Sequence, residues 1–148
     1  MEGEMVCPGV VRALLFAAFL IILSAPARAA DPTGVWRTGD GQARIRIRPC
    51  GAAICGTIVW LREPIDPLTK RPHVDDKNAD PSKRQRRVMG LRLFEMRPRG
   101  DGTWSGPIYN ADDGKTYDAS ITLTGPSNLT VRGCVGPFCG ADNWTKSK

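Results

Sequence analysis

Histidine is all but missing from this chain, and the single one is His73. Its solitude excludes the multi-histidine sets that hold catalytic zinc or non-haem iron. No Gly-x-Ser-x-Gly elbow is present to supply it with a serine nucleophile. Aromatic residues are few, at 7% of 148 residues, and they are not interleaved with basic runs, which argues against a nucleic-acid partner. No Cys-x-x-Cys pair occurs, so thiol exchange of that type is unsupported. Beyond Leu23 there is no apolar run long enough to span a bilayer.

The apolar run that does exist lies at the N-terminus, from Ala13 to Leu23, after Arg12. As a helix it covers about 16 Å, roughly half of a ~30 Å hydrocarbon core, too short for a permanent anchor. Small residues follow, ending in Ala27-Arg28-Ala29. A short apolar core before alanines at the −3 and −1 positions predicts a secretory signal peptide over residues 1–29, cleaved after Ala29. No cysteine stands there to carry a lipid. The predicted product is a single domain, residues 30–148, with no transmembrane anchor. Glu2 and Glu4 balance Arg12 and Arg28 in the removed segment, so the net charge stays at +6. That balance suits an anionic envelope surface such as lipid or polysaccharide.

Cysteine usage agrees with export. Cys7 leaves with the leader, and Cys50, Cys55, Cys134 and Cys139 remain as two pairs of identical spacing. Three connectivities are open. Each pair flanks a short turn-like segment, which favours two local hairpin staples, Cys50 with Cys55 and Cys134 with Cys139. The gaps are longer than those of zinc modules, and an oxidising compartment favours disulfides.

The remaining chain is patterned with period two. Ala43, Ile45 and Ile47 alternate with Arg44, Arg46 and Arg48; Tyr117, Ala119, Ile121 and Leu123 alternate with polar residues; Leu129 and Val131 do the same. Such segments are strands with one dry and one wet face. Residues 54–61 are apolar on both parities, as in a strand covered on both sides. Turns at Gly39-Asp40-Gly41, Gly51, Gly100-Asp101-Gly102, Asp112-Asp113-Gly114 and Gly125-Pro126 separate the runs. About eight strands are expected, near residues 34–38, 42–49, 53–62, 90–98, 103–109, 115–124, 127–133 and 139–145. A meander of that kind is best satisfied as an all-β, eight-stranded up-and-down barrel, which leaves no free edge. The runner-up is a two-sheet sandwich. One segment breaks the rhythm: residues 63–89 carry Pro64, Pro67, Pro72 and Pro81 and many charges. A connection this long is usually functional or disordered. A short helical turn is expected near Pro81 to Arg87, capped by Asp80.

Candidate chemistry is sparse. Asp76, Asn78 and Asp80 occupy the first positions of a calcium-loop pattern, but Pro81 replaces the turn glycine and Arg87 the bidentate glutamate, so no metal is assigned. Lys83, Arg84, Arg86 and Arg87 form the densest basic cluster. Trp36, Trp60 and Trp104, with Tyr109 and Tyr117, are candidate linings of a barrel cavity; Asp75 and Asn78 are loop candidates at its mouth. Trp36 and Trp144, on the first and last strands, are expected to plug the same end of the barrel. No catalytic residues and no cofactor are identified.

Taken together, Gly34-Val35-Trp36, Ile54 to Leu61, Asp75 to Asn78, Arg87 to Leu91, Gly102 to Tyr109, Gly114 to Tyr117, Leu129 to Gly133 and Trp144 form an ordered set. The set resembles an uncharacterised bacterial family, domain of unknown function 2147, over residues 34–145. Gly34-Val35-Trp36 also looks like the Gly-x-Trp signature of lipocalin-type barrels. The family pattern carries Asn-Pro after the loop aspartate, where this chain has Asn78-Ala79. The resemblance implies a lipocalin-like barrel, periplasmic or secreted, from a Gram-negative bacterium, and implies no catalytic residues. Two functions follow as expectations. The first is binding of a small apolar or amphipathic molecule in the barrel. The alternative is an envelope structural or interaction protein with a filled barrel, acting through its basic surface. An enzyme ranks third.

Overall fold

The computed structural model describes residues 31–100 and 102–148, so the expected signal peptide lies outside them. Eight strands follow one another: β1 (Gly34–Arg37), β2 (Ala43–Cys50), β3 (Ala53–Leu61), β4 (Arg92–Gly100), β5 (Thr103–Asn110), β6 (Lys115–Gly125), β7 (Asn128–Val135) and β8 (Phe138–Lys146). They pair antiparallel in chain order and close into a barrel. This is the up-and-down architecture that the alternation predicts. β4 begins at Arg92 rather than residue 90, because Gly90 still turns the chain at φ 89. Its N–H already bonds the Ile58 carbonyl at 2.9 Å. The seam between β1 and β8 is the shortest junction, with Trp36 opposite Lys146 and Arg37 opposite Thr145.

Alternation carries the inward residues into one core. Ile45, Ile47, Ile121 and Leu129 are essentially inaccessible, while Arg46 and Arg48 face solvent. Burying each such side chain contributes about 1.5–3 kcal/mol. Trp36, Met96 and Trp104 join them in the core. One close approach depends on glycine: a Cβ on Gly56 would meet the Phe94 ring at 2.2 Å, so that ring packs against bare backbone.

The two ends of the barrel differ. Turns after β2, β4 and β6 are tight and close one end. At the other end lie the β1–β2 turn, the β5–β6 turn, the β7–β8 hairpin and the long connection from Arg62 to Leu91. Both staples form as expected: Cys50–Cys55 crosslinks β2 to β3 at the closed end, and Cys134–Cys139 crosslinks β7 to β8 at the open end. The long connection is irregular but ordered by its own bonds. Bridges join Ile65 to Pro72 and Val74 to Arg87. A 3-10 turn spans Pro81–Lys83, and the Asp80 carboxylate caps it by accepting from the Ser82 N–H. The helical turn expected towards Arg87 stops earlier, at Lys83.

Candidate functional site

The open end holds a cavity of about 490 Å³. Its floor is Ile45, Ile58, Val131 and Trp144, residues that are themselves buried in the core. Leu61, Leu93, Ile108 and Val88 form its walls, and Tyr109 and Tyr117 add polar tips. Asp40, Asp112 and Asp142 stand on its rim, and no lysine or arginine is among the described residues that line it. A second recess of about 410 Å³ shares Gln42, Leu61, Val88 and Ala111 with it and runs outwards beneath the loop past His73 and Asp76. The barrel is therefore packed at its closed end and hollow at its open end.

Asp142 is the inward-facing acid closest to the floor. Its Oδ2 accepts the Trp144 indole N–H at 2.7 Å and the Gly39 N–H at 3.2 Å. Among the described residues it has no ion-pair partner. Tyr117 donates its hydroxyl to Asp113 at the neighbouring turn. That bond, with burial second, raises the Tyr117 pKa.

The loop is tied down over this mouth by one buried carboxylate. Asp75 is 0% exposed. It accepts the Tyr109 hydroxyl at 2.5 Å, the Arg86 Nε at 2.7 Å and the Asn78 amide at 2.8 Å. Burial pulls its pKa upward, but the three donors and the Arg86 charge outweigh this and hold it below the ordinary carboxylate value. Tyr109 moves up, through burial first and then through its bond to Asp75. Arg86 also lies over the Tyr109 ring, 5.6 Å from its centroid. Asn78 completes the clasp, its amide reaching the Tyr109 oxygen at 3.0 Å. The β5–β6 turn packs just as tightly against the loop: a Cβ on Gly114 would fall 1.9 Å from the Lys77 carbonyl oxygen.

These contacts sort the residues singled out by sequence. Tyr109 and Tyr117 line the cavity, and Asp75 and Asn78 hold its lid through Tyr109. Trp36 and Trp104 are core residues outside the cavity lining; the Trp36 indole donates to the Pro32 carbonyl at 2.7 Å. Trp36 and Trp144 do not plug one end together: Trp144 floors the cavity and Trp36 packs in the core without lining it. Trp60 is corrected outright. It is 37% exposed on the outer wall, with Arg44 stacked 4.8 Å from its ring. The cause is a bulge. Arg44 pairs with Trp60 but Ile45 pairs with Ile58, so Val59 is an extra residue that swaps the faces beyond it. Leu61 turns inward in place of Trp60. β3 is covered on both sides only in its first half, from Ala53 to Gly56, and beyond the bulge its outer face opens at Trp60.

Of the calcium-loop residues, Asn78 is spent in the clasp, and Asp80 caps the 3-10 turn and pairs with Lys83 at 3.1 Å. Cys50, Cys55 and Glu95 also gather at the closed end, but both sulfurs are consumed in a disulfide and offer no thiolate. Sequence reasoning missed Trp144 and Asp142 as cavity residues. In β8 the inward set is Gly140, Asp142 and Trp144, a series with no hydrophobic alternation to give it away.

No curated protein sequence matches this chain. Among solved structures it is similar to protein HP1028 from the human pathogen Helicobacter pylori, described as belonging to the lipocalin family. The TM-score is 0.68 at 17% identity, with 81% of this chain and 85% of that one covered. At that identity the likeness shows the fold, a lipocalin-like barrel. A family model matches residues 34–146, nearly the whole described domain, and the chain accordingly belongs to the family described as "uncharacterized protein conserved in bacteria (DUF2147)".

Proposed function

We propose that this is an exported binding protein whose barrel takes up one small amphipathic molecule at its open end. The observation that carries the reading is the half-hollow barrel. A cavity of about 490 Å³ with an apolar floor and a few convergent polar groups has the size and lining of a ligand site. Eight strands enclose a space that is either filled by side chains or holds one small ligand. The packed closed end with an empty open end favours the second over a purely structural, filled barrel. Two disulfides accord with an oxidising compartment.

The lining also describes the ligand. An alkyl or ring portion rests on Ile45, Ile58, Val131 and Trp144. The polar head then meets Asp40, Asp112 and Asp142, which favour a cation or a hydrogen-bond donor over an anion. The decisive experiment has two arms. Native mass spectrometry of protein taken from its own periplasm looks for a co-purifying small molecule. Titration of the stripped protein with decyltrimethylammonium, decanol and decanoate, all below micelle-forming concentrations, follows indole fluorescence. Saturable one-to-one binding is expected, in that order of affinity. No co-purifying molecule and no saturable binding of any of the three overturns the reading.

A further inference from the structure

Among the described residues the exposed large hydrophobic side chains gather at the open end. They are Trp60, Ile65, Leu68, Met89, Val135 and Phe138. Trp60 lies at the open-end limit of β3, the next three lie in the 62–91 connection, and the last two are at the tip of the β7–β8 hairpin. The exposure is not marginal: Leu68 is 90% and Phe138 80% accessible. Among the described residues the closed end offers no counterpart; its tight turns carry Gly51-Ala52, Gly102 and Pro126-Ser127. β3–β4 and β7–β8 stand on opposite sides of an eight-stranded barrel, so these side chains flank the cavity mouth rather than forming a strip along one wall.

The long connection carries the matching charge, outside the acidic rim of Asp40, Asp112 and Asp142. Residues 62–91 hold eight lysines and arginines against five aspartates and glutamates. Lys70, Arg71, Lys83, Arg84 and Arg87 of this set are exposed. Apolar tips set among cations match an anionic bilayer: the tips enter the boundary between headgroups and acyl chains, and the cations pair with phosphates. A tryptophan with a stacked arginine at the rim fits the headgroup level. A cationic protein face alone would accept any acidic partner. Leu68 and Phe138, both largely in water, are what single out a surface with an apolar interior.

We infer that the open end of the barrel docks on anionic phospholipid bilayers, with Leu68 and Phe138 inserting and the basic loop residues pairing with headgroups. Docking in this orientation turns the cavity mouth towards the membrane. The inference is independent of what the cavity holds, since the residues it uses do not line the cavity.

The test is vesicle flotation with the full exported chain, its disulfides intact. Vesicles of phosphatidylcholine alone are compared with vesicles containing phosphatidylglycerol. Binding is expected to the second and to weaken with salt. Leu68→Asp with Phe138→Asp weakens it at least about tenfold, given the apolar burial lost. Both positions are exposed, so the fold is retained, as circular dichroism will check. Arg48→Glu on the outer wall near the closed end changes the net charge equally to Arg71→Glu, an exposed loop cation with no ion-pair partner among the described residues. The first is expected to leave binding within about twofold, and the second to weaken it by about fivefold. Three results overturn the inference: no association with either vesicle, equal binding by the Leu68/Phe138 double variant, or equal loss from Arg48→Glu and Arg71→Glu. A dimer in sedimentation velocity that the double variant abolishes, without vesicle binding, assigns the face to a second copy instead.

Discussion

Asp75→Ala tests whether one carboxylate holds the lid. In the wild type that side chain is wholly buried and takes donors from Tyr109, Arg86 and Asn78. A hydrogen bond to a charged group contributes about 1.5–3 kcal/mol, and breaking a buried pair costs about 3–5 kcal/mol. Arg86 is 40% exposed and rehydrates once freed, and Tyr109 lines a cavity, so the lower end of that range applies, about 3 kcal/mol. The loss falls on the loop and not on the barrel, whose strands pair without it. Hydrogen exchange is the suitable assay. The amides of Asp75, Asn78 and Val88 bond to Arg86, Asp75 and His73 carbonyls within the loop. Their protection is expected to drop about hundredfold, while amides of β6 and β7 keep theirs. Unchanged protection at Asp75, Asn78 and Val88 refutes the clasp. Equal loss throughout the barrel refutes the independence of the loop. The same clasp has a pH window. The folded pKa of Asp75 is depressed, so its contribution is present above the ordinary carboxylate value and is lost as pH falls through the folded one. That of Tyr109 is raised, so its contribution is present below the ordinary phenol value and is lost as pH rises through the folded one. Loop amides should lose protection at both extremes before the barrel unfolds.

Replacing Cys50 and Cys55 together by serine removes a short crosslinked loop and should cost about 2 kcal/mol in urea unfolding, with the same for Cys134 and Cys139. A pair that costs nothing would mean that the hairpin is already closed in the unfolded chain. Gly114→Ala sets a Cβ against the Lys77 backbone at a residue with φ +72, so it should both destabilise the turn by at least about 1 kcal/mol and loosen the loop amides. Ile121→Ala, at a site with no exposure, should lower stability by about 2–5 kcal/mol and leave the loop amides unaffected relative to the barrel. Asp142→Asn should remove the preference for decyltrimethylammonium over decanol in fluorescence titration while leaving decanol binding within about twofold.

The barrel was legible because its period-two pattern is strong in β2, β6 and β7, and because glycine-bearing turns mark nearly every reversal. Faces were legible only as far as the period ran unbroken. Trp60 shows the limit: a single extra residue, Val59, reverses inside and outside, and nothing in an all-apolar run distinguishes the two parities. The clasp was half legible. Asp75 and Asn78 stood out as polar residues in a proline-rich segment, and Tyr109 as an aromatic at a strand end. Their meeting depends on how the loop folds back over β5, a long-range packing outcome that no local pattern encodes. Asp142 was illegible for a different reason, since β8 has glycine and aspartate at inward positions and its alternation is carried by Trp144 alone.

The short β1–β8 seam bears on how the molecule assembles. Of the other seven junctions, six zip locally from a tight turn, and β3–β4 closes across the long connection. This one must bring the two ends of the domain together across the largest sequence separation in the fold. Loop-closure entropy places such a contact late, after the other seven junctions have formed a curved open sheet. The pieces that complete it are few: two register pairs, the Ser147 N–H on the Val35 carbonyl at 2.8 Å, and Lys146 over the Trp36 ring at 5.4 Å. Until they engage, β1 and β8 each present a free edge able to pair with the opposite edge of another chain. C-terminal trimming that removes Lys146 and Ser147 is therefore expected to favour strand exchange between chains, which size-exclusion chromatography of the trimmed protein checks.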